Sequence, residues 1–450
     1  MFTDALSLAQ AFSTGDSDPL SALETALAGA ARLPAAFISL SEDRAYREAR
    51  AAQARWAAGQ PLSPLDGVPL AWKDLFDMAG SVTTAGARVR LRCPVASRDA
   101  SLVAALSRAG MVNIGKTNLS ELAYSGLGLN PHFGTPVNPR FEGAPRVPGG
   151  SSSGSAIAVA AGVVPLAMAT DTAGSIRIPA AFNGLVGFRS SRKRYAFDGV
   201  FSLAHSLDAL GPIAHSVRDV VVLDRLLRAD FRVERLPAGL PLHGLRLCLD
   251  PALLSDERLQ PAVRDNLYTA LQRLADGGVT VEERTLPALR ATLELIERDG
   301  WLGSAEAFAL HETLLDSADA EQLDPRVRQR LESARGFPAS RQILLYQAAE
   351  RLKRQLPDEL DGALLVTPTV AHVAPPLAPL AADDALFART NLATLRLTMP
   401  GSLLDLPGVA LPSGVDAQGL PTSLLLSAPS GADARLLRAA LSLEPLVRGA

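Results

Sequence analysis

Residues 4–60 carry apolar positions at helical spacing. In "PLSALETALAGAARL" the periodic stretch begins behind Ser17, Asp18 and Pro19, a helix start signal. "DRAYREARAAQARWAAG" predicts a second helix, ended by Gly59. The pattern then changes. "DGVPLAWKDLFD" predicts a turn and a short strand at about residues 68–73. "ASLVAALSRAG" predicts a helix stopped by Gly110, and "MVNIG" a strand after it. "VVPLAMAT" predicts a buried strand and "RDVVVLDRLLR" a helix. "LHGLRLCLD", "PAVRDNLYTALQRLADGG" and "VTVEERTL" predict strand, helix and strand, while "DGALLVTPTV" and "PGVALPSG" predict further buried strands. Such alternation indicates an α/β protein with a largely covered sheet. No internal repeat or long linker interrupts it, so one large domain is expected, with residues 220–360 a more variable helical portion. "AHVAPPLAPLAADD", residues 371–384, is expected to be a surface excursion.

Composition narrows the class. The 450 residues are 48% hydrophobic and 20% charged, the balance of a globular chain. A net charge of -3 leaves no electrostatic footprint for nucleic acid or anionic lipid. Two cysteines, Cys93 and Cys248, exclude a disulfide framework and fit a reducing compartment. "MFTDALSLAQAF" lacks the positive start of a secretory leader, and the nearly polar-free run 156–169 is too short to span a bilayer. A soluble, cytoplasmic protein is expected. Of 44 basic residues only Lys73, Lys116, Lys193 and Lys353 are lysines. Arginine cannot lose its proton in a protein, whereas lysine can.

Three motifs match known patterns in the wrong context. Gly110–Thr117, "GMVNIGKT", has the P-loop spacing, but Gly110 ends a helix and a strand follows, the reverse of a phosphate cradle. "SSRK", Ser190–Lys193, fits S-x-x-K without the partner motifs of that chemistry. Gly150–Gly154 fits the G-x-S-x-G elbow around Ser152, but the Pro/Gly-rich "RFEGAPRVPGG" precedes it rather than a strand, and no later histidine stands out. The six histidines and two cysteines show no metal-ligand spacing.

Three other segments combine. "GVPLAWKD" holds Lys73, "PGGSSSGSA" holds Ser151, and "ATDTAGSIRIPA" holds Ser175. With "GKTNLSELA", "NPHFGTPVNP" and "SLDALGPIAHSVRD", they make residues 60–220 resemble the amidase signature family of serine hydrolases. A weaker likeness continues to the C-terminus. The resemblance implies an α/β amidase-signature fold: a single large domain, 1–450, with a mixed, twisted central sheet covered by helices. Residues 1–60 would be an N-terminal helical region, 60–220 the catalytic core, and 221–450 a more variable part completing the sheet. It implies Ser175 as nucleophile, Ser151, after a cis peptide bond, as proton relay, and Lys73 as base. A lysine, ordinarily at about 10.4, can serve if burial lowers it, by up to about 3–5 pH units. Backbone N–H groups of Thr172, Ala173, Gly174 and Ser175 would form the oxyanion hole. Asp171 and Arg177 would brace the loop as an ion pair, and Ser152 would hydrogen-bond within the glycine-rich turn.

The sequence departs from the family pattern at Ala173, where the first of two glycines is usual, at "GFRSS", and at His215. Tyr124, Ser125, Gly126 and Leu127 are expected to line the substrate pocket, with "FSLAHSL" and residues around Asn391. The apolar look of these segments favours an aryl or aliphatic amide, or a carbamate. The implied activity is hydrolysis of a linear amide C–N bond, with a small amide-type substrate and water as partners and no metal or organic cofactor. No membrane contact is expected, no nucleic acid contact unless the chain is an amidotransferase, and a homodimer is left open. Three alternatives stand beside this: an A-type glutamine amidotransferase subunit for charged tRNA, an allophanate- or biuret-like hydrolase, and a catalytically impaired binding subunit.

Overall fold

Eleven short segments, most of them apolar, pair into one mixed sheet. They are β1 (Phe37–Leu40), β2 (Pro69–Lys73), β3 (Val112–Thr117), β4 (Leu166–Asp171), β5 (Val186–Arg189), β6 (Ala209–Ala214), β7 (Arg246–Leu249), β8 (Thr280–Glu283), β9 (Leu364–Pro368), β10 (Gly408–Val415) and β11 (Pro421–Ser427). The computed structural model describes residues 4–230 and 237–449; the first three residues of the N-terminal stretch considered for a leader lie outside them. The order across the sheet is β1-β3-β2-β4-β6-β5-β10-β11-β9-β7-β8. β2 runs parallel to β3 and β4 at one end, and β7 parallel to β8 and β9 at the other. Antiparallel pairs join the two ends.

Helices cover the sheet as one α/β domain. Asp18 starts the helix Pro19–Ala31 by accepting from Leu20 N and Ser21 N, as its sequence predicts. This helix joins a core cluster with Glu42–Ala57 and Ser153–Ala160. All eight residues of Ser153–Ala160 are buried. A larger cluster runs from Trp72 and Met168 to Leu247 and Cys248, across both ends of the sheet. The helices Pro287–Asp299, Leu302–Leu315, Pro325–Glu332 and Ala339–Leu360 lie within the 220–360 stretch expected to be helical.

Two sequence patterns take definite places in the fold. The 371–384 segment is a surface excursion only in its second half: Ala371, Val373 and Ala374 are buried, whereas residues 381–384 are exposed and Leu380 alone is buried beyond residue 374. The P-loop-like Lys116 lies in β3, buried, ion-paired with Asp74 at 2.5 Å and bonded to Thr83 Oγ1 at 2.8 Å. Among the described residues no helix is long and apolar enough to cross a membrane.

Candidate active site

The parallel arrangement of β2, β3 and β4 places their C-terminal ends on one edge, where open α/β sheets bind ligands. Lys73 is the last residue of β2 and fully buried. Its Nζ donates to Ser151 Oγ at 2.8 Å and to Thr170 Oγ1 of β4 at 2.9 Å. Neither partner is a carboxylate. Desolvation drives the Lys73 ammonium down from 10.5 to about 7, against the pull of Asp171 and Asp208.

Ser151 follows a cis Gly150–Ser151 peptide and leads into the helix Ser153–Ala160. Gly150 is needed for close approach: a Cβ there would come within 2.5 Å of Gly128 N and 2.7 Å of Ser125 O. Gly150 N also donates to Gly126 O at 2.8 Å. Segment 125–128 therefore clamps the backbone that carries Ser151.

Ser175 stands in the turn between β4 and the helix Arg177–Phe182. It lines a cavity of about 280 Å³, and its hydroxyl makes no hydrogen bond among the described residues. The structure thus joins Lys73 to Ser151 but does not tie Ser175 to either by a hydrogen bond. Asp171 organises the turn. Its carboxylate accepts from Gly174 N at 2.8 Å and Ile176 N at 3.1 Å, and from Arg177 Nε and a second Arg177 nitrogen at 2.9 and 2.8 Å. Burial alone would push the Asp171 carboxyl up, but Arg177, Arg189 and the backbone N–H groups bring it down to about 2.

This corrects the expected oxyanion set. The Gly174 N–H is committed to Asp171, so it does not face the cavity chemistry. No loop hydrogen bond engages the N–H of Thr172, Ala173 or Ser175 among the described residues. The expected pocket wall also narrows. Tyr124, Ser125, Leu203 and Asn391 line the cavity. Gly126 and Leu127 do not; Gly126 is held by Asn391 Oδ1 at 2.8 Å, and Leu127 is fully buried beside Ile178 and Phe182. Ser152 bonds out of the glycine-rich turn, to the Thr170 carbonyl of β4 at 3.3 Å.

Three site residues escaped the sequence reading. Thr170 holds Lys73. Asp208 accepts from Thr172 Oγ1 at 2.6 Å, and burial pushes its carboxyl up against four hydrogen bonds. Arg330 comes from the helix Pro325–Glu332. The first two lie inside quoted motifs, "ATDTAGS" and "SLDALGP", but nothing local marks their side chains.

With this geometry in place, comparison with known proteins gives the family. The Amidase family model matches residues 21–437, and the chain belongs to that family, whose members hydrolyse amide C–N bonds. A 2-amino-5-chloromuconic acid deaminase of Comamonas testosteroni is 34% identical, over 90% of this chain and 88% of that protein. The A-type subunit of the glutamyl-tRNA(Gln) amidotransferase of Symbiobacterium thermophilum is 32% identical, over 99% and 96%. A crystal structure of an amidase superposes with a TM-score of 0.86 at 33% identity, covering 98% of this chain and 99% of that one.

Proposed function

We propose that this chain hydrolyses the C–N bond of a small linear amide through a covalent acyl-enzyme. The observation that carries the reading is the 2.8 Å Lys73–Ser151 hydrogen bond, with the lysine held near neutrality. Neutral Lys73 takes the Ser151 proton while Ser151 takes that of Ser175. Ser175 Oγ bonds to the amide carbon, and the N–H groups of Thr172, Ala173 and Ser175 receive the negative oxygen. The C–N bond then breaks, and the proton returns through Ser151 to the departing amine. Water, deprotonated along the same relay, cleaves the ester and releases a carboxylic acid. The missing Ser151–Ser175 bond is one that closes with substrate, as catalytic hydrogen bonds often do. A carbamate offers the same bond to the same groups.

The near full-length match to the A-type subunit of an amidotransferase supports a second reading, ammonia release from glutamine for a charged tRNA. Purified chain separates the two. A fluorophosphonate is expected to label Ser175, and the chain alone to hydrolyse simple amides. Labelling that misses Ser175, or persists unchanged in Lys73→Ala, contradicts the relay. Turnover only with added partner proteins favours the second reading.

A further inference from the structure

The cavity beside Ser175 contains a charge that the hydrolytic scheme does not use. Arg330, on the helix Pro325–Glu332, is the only charged side chain among the described residues lining it. Its guanidinium lies 4.2 Å from the centre of the Tyr124 ring and donates to the Tyr124 carbonyl. Of the five N–H donors of a guanidinium, protein engages only that one among the described residues.

Its neighbours behave otherwise. On the same helix, Arg326 pairs with Asp324 at 2.9 Å and Arg328 with Glu321 at 2.8 Å. Deeper in the site, Arg177 pairs with Asp171 at 2.8 Å. Arg330 forms no ion pair with any described Asp or Glu, and the only group offsetting its desolvation is Tyr124. Arg330 is half-buried, and a cation drawn partly out of water is ordinarily paired, because desolvating its charge costs free energy. Arginine cannot escape that cost by losing its proton. The cavity also holds a second uncommitted donor. Gly126 N–H and Ser125 Oγ both donate to Asn391 Oδ1, at 2.8 and 3.1 Å, which fixes the amide orientation. The Asn391 NH2 group is left without a protein hydrogen bond among the described residues.

We propose that the substrate is a small amide bearing a carboxylate, and that Arg330, with Asn391, receives that carboxylate while Ser175 attacks the amide carbon. This deepens the hydrolytic reading above and rests on it. The planar guanidinium suits a carboxylate, with two parallel N–H donors for two oxygens. At about 280 Å³ the cavity suits a short molecule, so that the two ends are separated by only a few atoms. Tyr124 holds the guanidinium plane from one side. The apolar wall then serves the spacer between carboxylate and amide, rather than an aryl or long aliphatic group.

The test compares charged and uncharged substrates of matched shape. One arm carries the carboxylate on the acyl side: succinamate against butanamide, and glutaramate against pentanamide. The other carries it on the amine side: N-acetylglycine against N-propylacetamide. In one arm or the other, kcat/KM for the acid is expected to exceed that for its neutral partner by roughly 100-fold. Arg330→Met should collapse this ratio, and Arg330→Lys should keep part of it, since the ammonium retains charge without the fork. Calorimetric titration of Ser175→Ala with the same pairs reads recognition without turnover, and should show the same order. Equal handling of acid and neutral partners in both arms overturns the proposal, as does a ratio that survives Arg330→Met. Fluorophosphonate labelling of Ser175 tells the two failures apart. Labelling without acid preference removes only the carboxylate site, whereas no labelling and no turnover removes the hydrolytic reading as well.

Discussion

Two of the four lysines are fully buried, and their partners divide their roles. Lys116 faces the Asp74 carboxylate and acts as half of an ion pair. Lys73 faces two hydroxyls, from Ser151 and Thr170, with no carboxylate in contact. Burial without a paired charge brings Lys73 to about 7. The sign of the pH dependence follows. As the proposed base, Lys73 must be neutral, so kcat/KM should rise with pH through about 7 and then level off. Lys73→Met should remove this limb and lower kcat/KM by roughly 100- to 10,000-fold. The charge of Asp208 raises the Lys73 pKa, so Asp208→Asn should move the limb toward lower pH, by up to about one unit. Asparagine keeps an acceptor oxygen for Thr172 but turns its NH2 toward the Ser202, Leu203 and Ala204 donors, so the stability of the variant is read beside its pH profile. A limb that stays in place would contradict a charge effect of Asp208 on Lys73. At this scale Lys73, Ser151 and Ser175 were legible because each sits in a short, dense motif. Arg330 was not: "PRVRQRLE" reads as an ordinary charged helix face, and only the folded chain shows which of its arginines lacks a carboxylate.

The turn from β4 into the helix Arg177–Phe182 explains how alanine is tolerated two residues before Ser175. Gly174 has φ +138°, and a Cβ there would meet Thr398 Oγ1 at 2.2 Å and Ile178 Cδ1 at 2.6 Å. Ala173 is not among the residues with positive φ, and its carbonyl accepts from Thr398 Oγ1 at 2.5 Å. The backbone needs glycine at the second position only. Gly174→Ala should therefore displace the turn and lower kcat/KM by roughly 100-fold, the usual effect of an ångström-scale misplacement. Ala173→Gly should change it far less. Steady-state kinetics of the two variants on one amide checks this, and a comparable loss in both would contradict it. Elements with strong local signals were legible in the same way: the capped helix Pro19–Ala31, and β2, β4 and β9, which are largely apolar and buried throughout. β6 was missed because "ALGPIA" contains Gly211 and Pro212, which argue against a strand interior. The fold accommodates Pro212 because the β5–β6 ladder covers only Val186↔Ala214 and Gly187↔Ile213 and ends before it.

Across the whole molecule, covered α/β architecture was legible from alternation, but strand order was not. β10 pairs with β5, and β9 lies between β11 and β7; such partners are set by long-range packing that no local pattern encodes. The order has a consequence for unfolding. Ser175 follows β4, while Cys248 lies in β7, with five strands between them. Yet Trp72 and Met168 share one apolar cluster with Leu247 and Cys248, so the halves are joined by core as well as by sheet. Cys248 is fully buried, and burial pushes its thiol up, whereas Cys93 is partly exposed. A thiol reagent should therefore modify Cys93 in the folded protein and reach Cys248 only on unfolding. With two cysteines in the chain, mass spectrometry separates the sites without further labels. In a urea series, loss of fluorophosphonate labelling at Ser175 and gain of labelling at Cys248 should share one midpoint, because opening either end exposes the shared cluster. Cys248 labelling at lower urea, with Ser175 still reactive, would instead show that the β7–β9 end opens by itself.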